Sequence, residues 1–553
     1  MIILHDAPSS DLSHIQAVAG IDEGFSLFDY VEIRQQDNEA WVGQIVQPNQ
    51  NVSIVGSRLE PTILHGLRLM QQHENVQSVQ SVQVFDILII GQLDGRSVLT
   101  PRLRPLPGAI VTRLAAGETT AFLEIPALVQ HNDGSCNVIG DLLNADGVPL
   151  CVDARKYHYH IMVAGGTGSG KSNVAANLVD QAARVGKCVI VHDAKPDYGS
   201  IQEANTDARV TGIWQRFEPH GLRPHGAAGV RRIGFFGSCD PAAVDEVVGF
   251  RSSAFNPDML AGLFFGGQVE QNQYEGFASA AFALRQRVQA FTLDDILTEV
   301  RNRSQSAGQV APQDQIHDTV VQAIQRKVGQ RRAKYRWLDA VGQAVPGGRG
   351  GRLRGGRLDA DRQRTVVELA LDNAGPGTII VVDYRDMDEG SYAAIVSIFL
   401  RESQRLRKRR QGPGIVQLVD EAHRIFDNES RHSASLGGAF ERVMREGRSV
   451  DHSIIMSLQN ASQIPPRVMN NLNTKIVMRQ NSKTEAEAAT QTMGKDFAVQ
   501  AMRLGTGHAL VSLHESRAVV LAQMAPSPYE LMRPDVEDRL PRPGPADDDD
   551  MPD

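Results

Sequence analysis

Long hydrophobic runs are missing from this sequence: its longest apolar stretches, such as Thr378–Val382, are far too short to cross a bilayer. Met1 is followed by Ile2, Ile3, Leu4, His5 and Asp6 with no basic start. No secretory signal peptide is therefore expected, and a cytoplasmic location is. Cysteine is scarce: Cys136, Cys151, Cys188 and Cys239 are the four in 553 residues. None lies in a CxxC or a Cys/His pair at metal-ligand spacing, so the expectation is reduced structural thiols rather than zinc or disulfides. Internal repeats, a nuclease constellation and a motif for reading bases are also lacking.

What is present suits a folded chain of several domains. Hydrophobic residues make up 41% and charged residues 22%, values that exclude wholesale disorder. The formal charge of −8 looks wrong for a polyanion partner, but it is unevenly spread. Residues 534–553 hold eight acids and two bases, which leaves only −2 on the remaining 533 residues. Local patches then matter more than the total.

The fold class expected is α/β: a core with a mainly parallel sheet and a helical insertion, preceded by a small β-barrel. Residues 1–125 read as short strands (Tyr30–Arg34, Ala40–Val46, Val82–Ile90, Ala109–Arg113) broken by Pro and Gly, and a small antiparallel barrel closes such a series without open edges. Residues 126–152 read as a connector. From 153 to 525, apolar runs alternate with helical ones: His160–Ala164, Cys188–His192, Arg232–Phe236, Thr378–Asp383, Ile415–Val419, Ser453–Leu458 and Lys475–Arg479. Such continuous Val/Ile runs suit a buried parallel sheet. Residues about 240–345 lack them and read as helices, for example Tyr274–Ala290 and Asp318–Trp337. The Gly/Arg-rich stretch 346–357 reads as a basic loop, and 526–553 as an extended arm with an acidic tail.

Gly165, Gly166, Thr167, Gly168, Ser169, Gly170, Lys171 and Ser172 fit G-x-x-x-x-G-K-[ST]. An apolar strand precedes them and a helical run, starting at Asn173, follows. The spacing predicts backbone N–H groups turned around phosphates, Lys171 reaching the β/γ-phosphates and Ser172 on Mg²⁺. Ile415–Val419 ends in Asp420-Glu421, a Walker B pattern. Asp420 is expected to hold Mg²⁺, and Glu421 to activate water as general base. Gln459, after the next strand, is placed to sense the γ-phosphate. ATP and Mg²⁺ are the implied cofactors.

Arg445 and Arg448 lie between the acidic pair and Gln459. Either could serve a neighbouring subunit's site, since the guanidinium fork matches phosphate oxygens. Residues 324–357 carry ten bases and one acid, and Arg401–Arg410 carries six bases and one acid. These clusters are candidates for neutralising backbone phosphates, or are solvated helix faces.

In order and spacing, His160–Ser172, Leu418–His423, Arg445–Arg448 and Ser457–Gln459 with Ile464–Val477 resemble the HerA family, in the HerA/FtsK branch of P-loop ATPases. The resemblance runs over most of residues 25–525, with the early barrel similar to the family's HAS barrel. It implies a RecA-like core, a homo-hexamer with ATP sites between neighbours, double-stranded DNA through the centre, and Arg448 or Arg445 as the trans finger. It also implies a helper such as a NurA-type nuclease or a sirtuin-like effector, in DNA-end repair or phage defence. Asp193-Ala-Lys-Pro-Asp197-Tyr198 departs from the family's Asp-Pro-His-Gly-Glu-Tyr, with Asp197 where Glu is expected. Two alternatives stay open: a protein remodeller, for which Phe264-Phe265-Gly266-Gly267 is a weak pore-loop candidate, and a ring that mainly recruits and activates an effector.

Overall fold

The computed structural model describes residues 1–3, 14–20, 23–53, 81–95, 97–130, 136–145, 147–266, 268–305, 315–340, 367, 371, 374–409, 412–426, 433–494 and 496–532. The Gly/Arg-rich stretch 346–357 and the acidic stretch 534–553 lie outside the described residues.

Six N-terminal strands form a closed antiparallel ring: Ile2–Ile3, His14–Gly20, Tyr30–Arg34, Ala40–Ser53, Ser81–Asp94 and Ile110–Arg113. The pairing of His14–Gly20 with Ser81–Asp94 closes it, which removes both open edges. Alternate residues (Val31, Ile33, Trp41, Ile45, Phe85, Ile87, Val111) fill the interior. The barrel seats on the rest of the chain through Phe28 stacked on Phe497, and through Tyr30 and Gln44, which both donate to the Val519 carbonyl.

The second sheet has twelve strands. Eight are parallel, in the spatial order Glu246–Val248, Val230–Phe235, Ile379–Asp383, Cys188–Asp193, Ile415–Val419, His452–Leu458, Ile161–Ala164, Thr474–Met478. One strand, His452–Leu458, thus separates the strand before the phosphate loop from the strand before the acidic pair, the RecA-like order. His508–Ser512, Val520–Met524, Val138–Leu142 and Pro149–Cys151 extend the sheet antiparallel. Both faces are covered: Met162 and Ala164 join one hydrophobic layer, Ile161 and Val163 the other. That two-sided burial is why the strands read as unbroken apolar runs.

Helices Pro257–Phe264, Gln271–Arg287, Leu293–Gln305 and Asp318–Arg332 pack as the helical layer expected over 240–345. The strand Glu246–Val248 is an addition there; three residues give no periodicity to read. Phe264 and Phe265 are fully buried, so they offer no aromatic to a threaded polypeptide. Cys136, Cys151 and Cys188 are buried free thiols, and burial pushes Cys151 and Cys188 up to about 12.

A polar chain runs sideways through this core. The Tyr384 hydroxyl meets Nδ1 of His192 at 2.9 Å, and Nε2 of His192 meets Oε1 of Gln417 at 2.8 Å. The Gln417 amide nitrogen lies 3.0 Å from Nε2 of His452. Nearby, Nδ1 of His160 accepts from the Ile454 N–H at 3.1 Å, so its Nε2 donates to the Met444 carbonyl. Burial pushes His160 and His192 down to about 4 and His452 to about 3. All three therefore stay neutral in the folded chain while an unfolded histidine protonates near 6.5. Their contribution is complete above about pH 6.5 and is lost as pH falls toward about 4, at ~1.4 kcal/mol per pH unit for each histidine. The thermal midpoint should fall steeply between pH 7.5 and 5; an unchanged midpoint would contradict this account.

Candidate nucleotide-binding and hydrolysis site

The phosphate loop leaves the sheet at the carboxyl end of Ile161–Ala164. Gly165 N–H donates to the Leu458 carbonyl at 3.1 Å and Gly166 N–H to the Arg479 carbonyl at 2.8 Å, so both flanking strands hold the loop. Gly168 and Gly170 have φ of 74° and 109°, left-handed values that suit glycine, and Gly170 caps the helix Lys171–Arg184. A Cβ on Gly166 would stand 2.5 Å from the Asn481 carboxamide. The Lys171 ammonium curls back to the Gly166 carbonyl at 3.0 Å. Burial pushes Lys171 down, opposed by Glu421 and then Asp420. The Ser169 hydroxyl is buried with no partner among the described residues, a donor without an acceptor at the mouth of a helix N-terminus. Thr167 is exposed at the loop's tip.

The acidic side is assembled from three strand ends. Asp420 is fully buried, and burial with Glu421 and Asp197 pushes it up to about 7, against a hydrogen bond from Ser457 and the Lys195 charge. Its backbone carbonyl accepts from the Tyr392 hydroxyl. Glu421 sits at φ 46°, a left-handed conformation uncommon outside glycine and typical of functional turns. Its Oε1 accepts from Gln459 Nε2 at 2.7 Å and from Lys195 Nζ at 2.5 Å, and His423 Nε2 lies 3.4 Å from Oε2. Ser172 Oγ donates to Asp197 Oδ2 at 2.8 Å. Asp193 is buried and raised well above the carboxylate range, first by desolvation and then by Asp420; it accepts from the Tyr198 N–H at 3.1 Å.

The structure therefore brings Lys171, Ser172, Asp420, Glu421 and Gln459 to one edge of the sheet. A helix N-terminus at Gly170, the buried Lys171 ammonium and the Ser169 hydroxyl suit a polyphosphate. Hard oxygens from Ser172, Asp197 and Asp420 suit a divalent cation, which would compete with the proton on Asp420. Asn173 is used differently: its side-chain oxygen accepts from Ser527 N–H at 3.2 Å. It anchors the segment after Met524, which runs along this helix as Asn177 binds the Ala525 and Pro526 carbonyls and Tyr529 binds Asp180. Sequence reasoning missed Lys195, although it stands directly past a strand end, where ligand-facing groups collect.

Arg445 and Arg448 are exposed on the helix Ser433–Val450 and lie at the opposite, amino edge. Arg448 stacks on Tyr159, 5.0 Å from the ring centroid, just before the phosphate-loop strand begins. Gly447 between them is needed because a Cβ there would stand 2.3 Å from the His452 carbonyl. Many of the basic residues singled out in sequence are engaged within the chain. Arg332 forks onto Asp294, Lys327 pairs with Glu270 and Arg331 donates to the Phe264 carbonyl. Arg407 donates to the Val450 carbonyl and Lys408 pairs with Glu446. Tyr335 and Trp337 are buried packing residues.

Comparison with known proteins adds four findings. The family model described as "Helicase HerA, central domain" matches residues 137–403, a stretch that holds the phosphate loop and Lys195 but ends before Asp420. The DNA double-strand break repair helicase HerA of Sulfurisphaera tokodaii is 20% identical over 478 residues, 82% of this chain and 81% of that protein. The probable DNA double-strand break repair helicase HerA of Methanocaldococcus jannaschii is 30% identical over 152 residues, 27% of this chain and 29% of that protein. Among solved structures, plasmid coupling protein TrwB with a non-hydrolysable GTP analogue superposes with TM-score 0.46 at 12% identity, over 76% of this chain and 95% of that one. With a central stretch that matches the HerA central domain, a HerA relative aligned along most of its length, and a RecA-like sheet carrying a phosphate loop and an acidic pair, the chain is a P-loop ATPase similar to the HerA helicases.

Proposed function

We propose that this chain works as a homo-hexameric, cytoplasmic ATPase that moves along double-stranded DNA without reading its sequence. One observation carries the reading: the hydrolytic groups gather at the carboxyl edge, while Arg445 and Arg448 stand at the amino edge of the same sheet. The strand between, Ile161–Ala164, spans about 13 Å at ~3.3 Å per residue, so neither arginine serves its own site. A site short of its arginine is completed by a neighbour, which couples hydrolysis to movement between subunits. Arg448 is favoured for that role because Tyr159 already holds its guanidinium.

In this reading the glycine loop and Lys171 bind the phosphates of ATP, and Ser172 and Asp420 hold Mg²⁺, which supplies charge neutralisation. Glu421 takes a proton from the attacking water, and Gln459 orients Glu421. The relatives named as double-strand break repair helicases support a DNA substrate. Repair with a NurA-type nuclease, or defence with another effector such as a sirtuin-like protein, would both use such a ring. Leu99, Leu103, Leu106 and Ile110, exposed on and beside the barrel, favour effector recruitment as a second task of the same ring. Double-stranded DNA should raise ATP turnover several-fold, with the effect weakening as salt rises. Turnover indifferent to duplexes of several lengths at several salt concentrations would sink the translocase reading.

A further inference from the structure

We propose that Lys195 is a γ-phosphate-reading residue whose resting partner is the general base. The inference rests on the reading of Glu421 and the phosphate loop given above, and it concerns a residue outside both motifs.

Lys195 follows the strand Cys188–Asp193, which two strands separate from the phosphate-loop strand and which lies next to the strand that delivers Glu421. Its ammonium meets Glu421 Oε1 at 2.5 Å. The two partners differ in freedom: the Glu421 side chain is 6% exposed, that of Lys195 48%. Glu421 is thus fixed by Gln459 and its turn, while Lys195 lies on a long stem open to solvent and can leave. While the pair stands, a proton moving onto Glu421 would break an ion pair in a largely dry site, so water activation is disfavoured. A terminal phosphate carries more charge than one carboxylate and exposes three oxygens to point-charge donors such as lysine. Lys195 then exchanges partners, the phosphate gains a second cation beside Lys171, and Glu421 is released to accept a proton. ADP offers no such partner, so the resting pair persists.

The test measures Kd for ADP and for a non-hydrolysable ATP analogue, in competition against a fluorescent nucleotide, for the wild type, Lys195→Met and Lys195→Arg. Lys195→Met should lower the preference for the triphosphate by about 10-fold while leaving the ADP Kd unchanged, since one charge-assisted contact is lost. Lys195→Arg should retain most of the preference. An unchanged preference in Lys195→Met overturns the proposal. So does loss of ADP binding in both variants, which would make Lys195 structural. Lys171→Ala separates the two readings. If it binds both nucleotides like the wild type, the phosphate-loop reading fails first. If it binds neither while Lys195→Met is silent, only the proposal for Lys195 fails.

Discussion

Glu421→Gln should leave a protein that binds ATP and does not turn it over, with kcat down by about 10² to 10⁴-fold, the range for removing a general base. Glutamine keeps the size of the side chain and an oxygen for the Gln459 and Lys195 contacts, so the turn at φ 46° has no reason to change. What disappears is the capacity to take a proton. The outcome to look for is a split: nucleotide affinity near that of the wild type, and hydrolysis near background with or without DNA. Wild-type turnover in this variant would remove Glu421 from the chemistry and move attention to Asp193 and Asp197.

Lys171→Ala should fail one step earlier, at binding, and should reduce turnover by about 10³-fold, as when a buried donor to developing phosphate charge is lost. The ammonium is buried, bonded to the Gly166 carbonyl, and balances Glu421 and Asp420. Alanine would remove that buried cation and leave Glu421 to the more exposed Lys195. The loop itself should survive, because its shape comes from Gly168, Gly170 and the bonds to Leu458 and Arg479. Circular dichroism and the thermal midpoint should therefore stay close to the wild type while a fluorescent nucleotide no longer binds. Retained tight binding would contradict the phosphate-loop role.

The middle of the parallel sheet was legible because strands such as Ile161–Ala164, Ile415–Val419 and His452–Leu458 are buried on both faces and read as continuous apolar runs, whereas the half-buried edge strand Glu246–Val248 was not. His508–Ser512 and Val520–Met524 were not, since short antiparallel strands beyond the motifs resemble ordinary loop-flanked apolar segments. The phosphate loop announces itself because its residues are contiguous, and Asp420-Glu421 because a strand ends directly before them. Lys195 was hidden: 226 residues separate it from Glu421, and only the strand order places the two ends side by side. The basic clusters read two ways in the sequence, as phosphate-binding faces or as solvated helix faces. Charge density does not separate the two, and in the structure Arg331, Arg332, Arg407 and Lys408 bind carbonyls and carboxylates of their own chain. Asn173 shows a third case, a position beside the motif that is spent on fastening a distant segment.

The strand Val520–Met524 lies beside Val138–Leu142, so residues 143–519 must be made before that seam can form. At ~5–20 residues per second, a ribosome takes about 20 to 75 s to cross the gap. The barrel's closing pairs lie within residues 14–94 and can zip up early in that interval. The larger sheet cannot: its middle strands emerge while the pieces that cap one flank are still missing, and the Val519 carbonyl that seats the barrel arrives last. A nascent chain of this protein is thus exposed for tens of seconds with a finished N-terminal module and an unfinished hydrophobic flank. That is the window in which a folding helper would have to act.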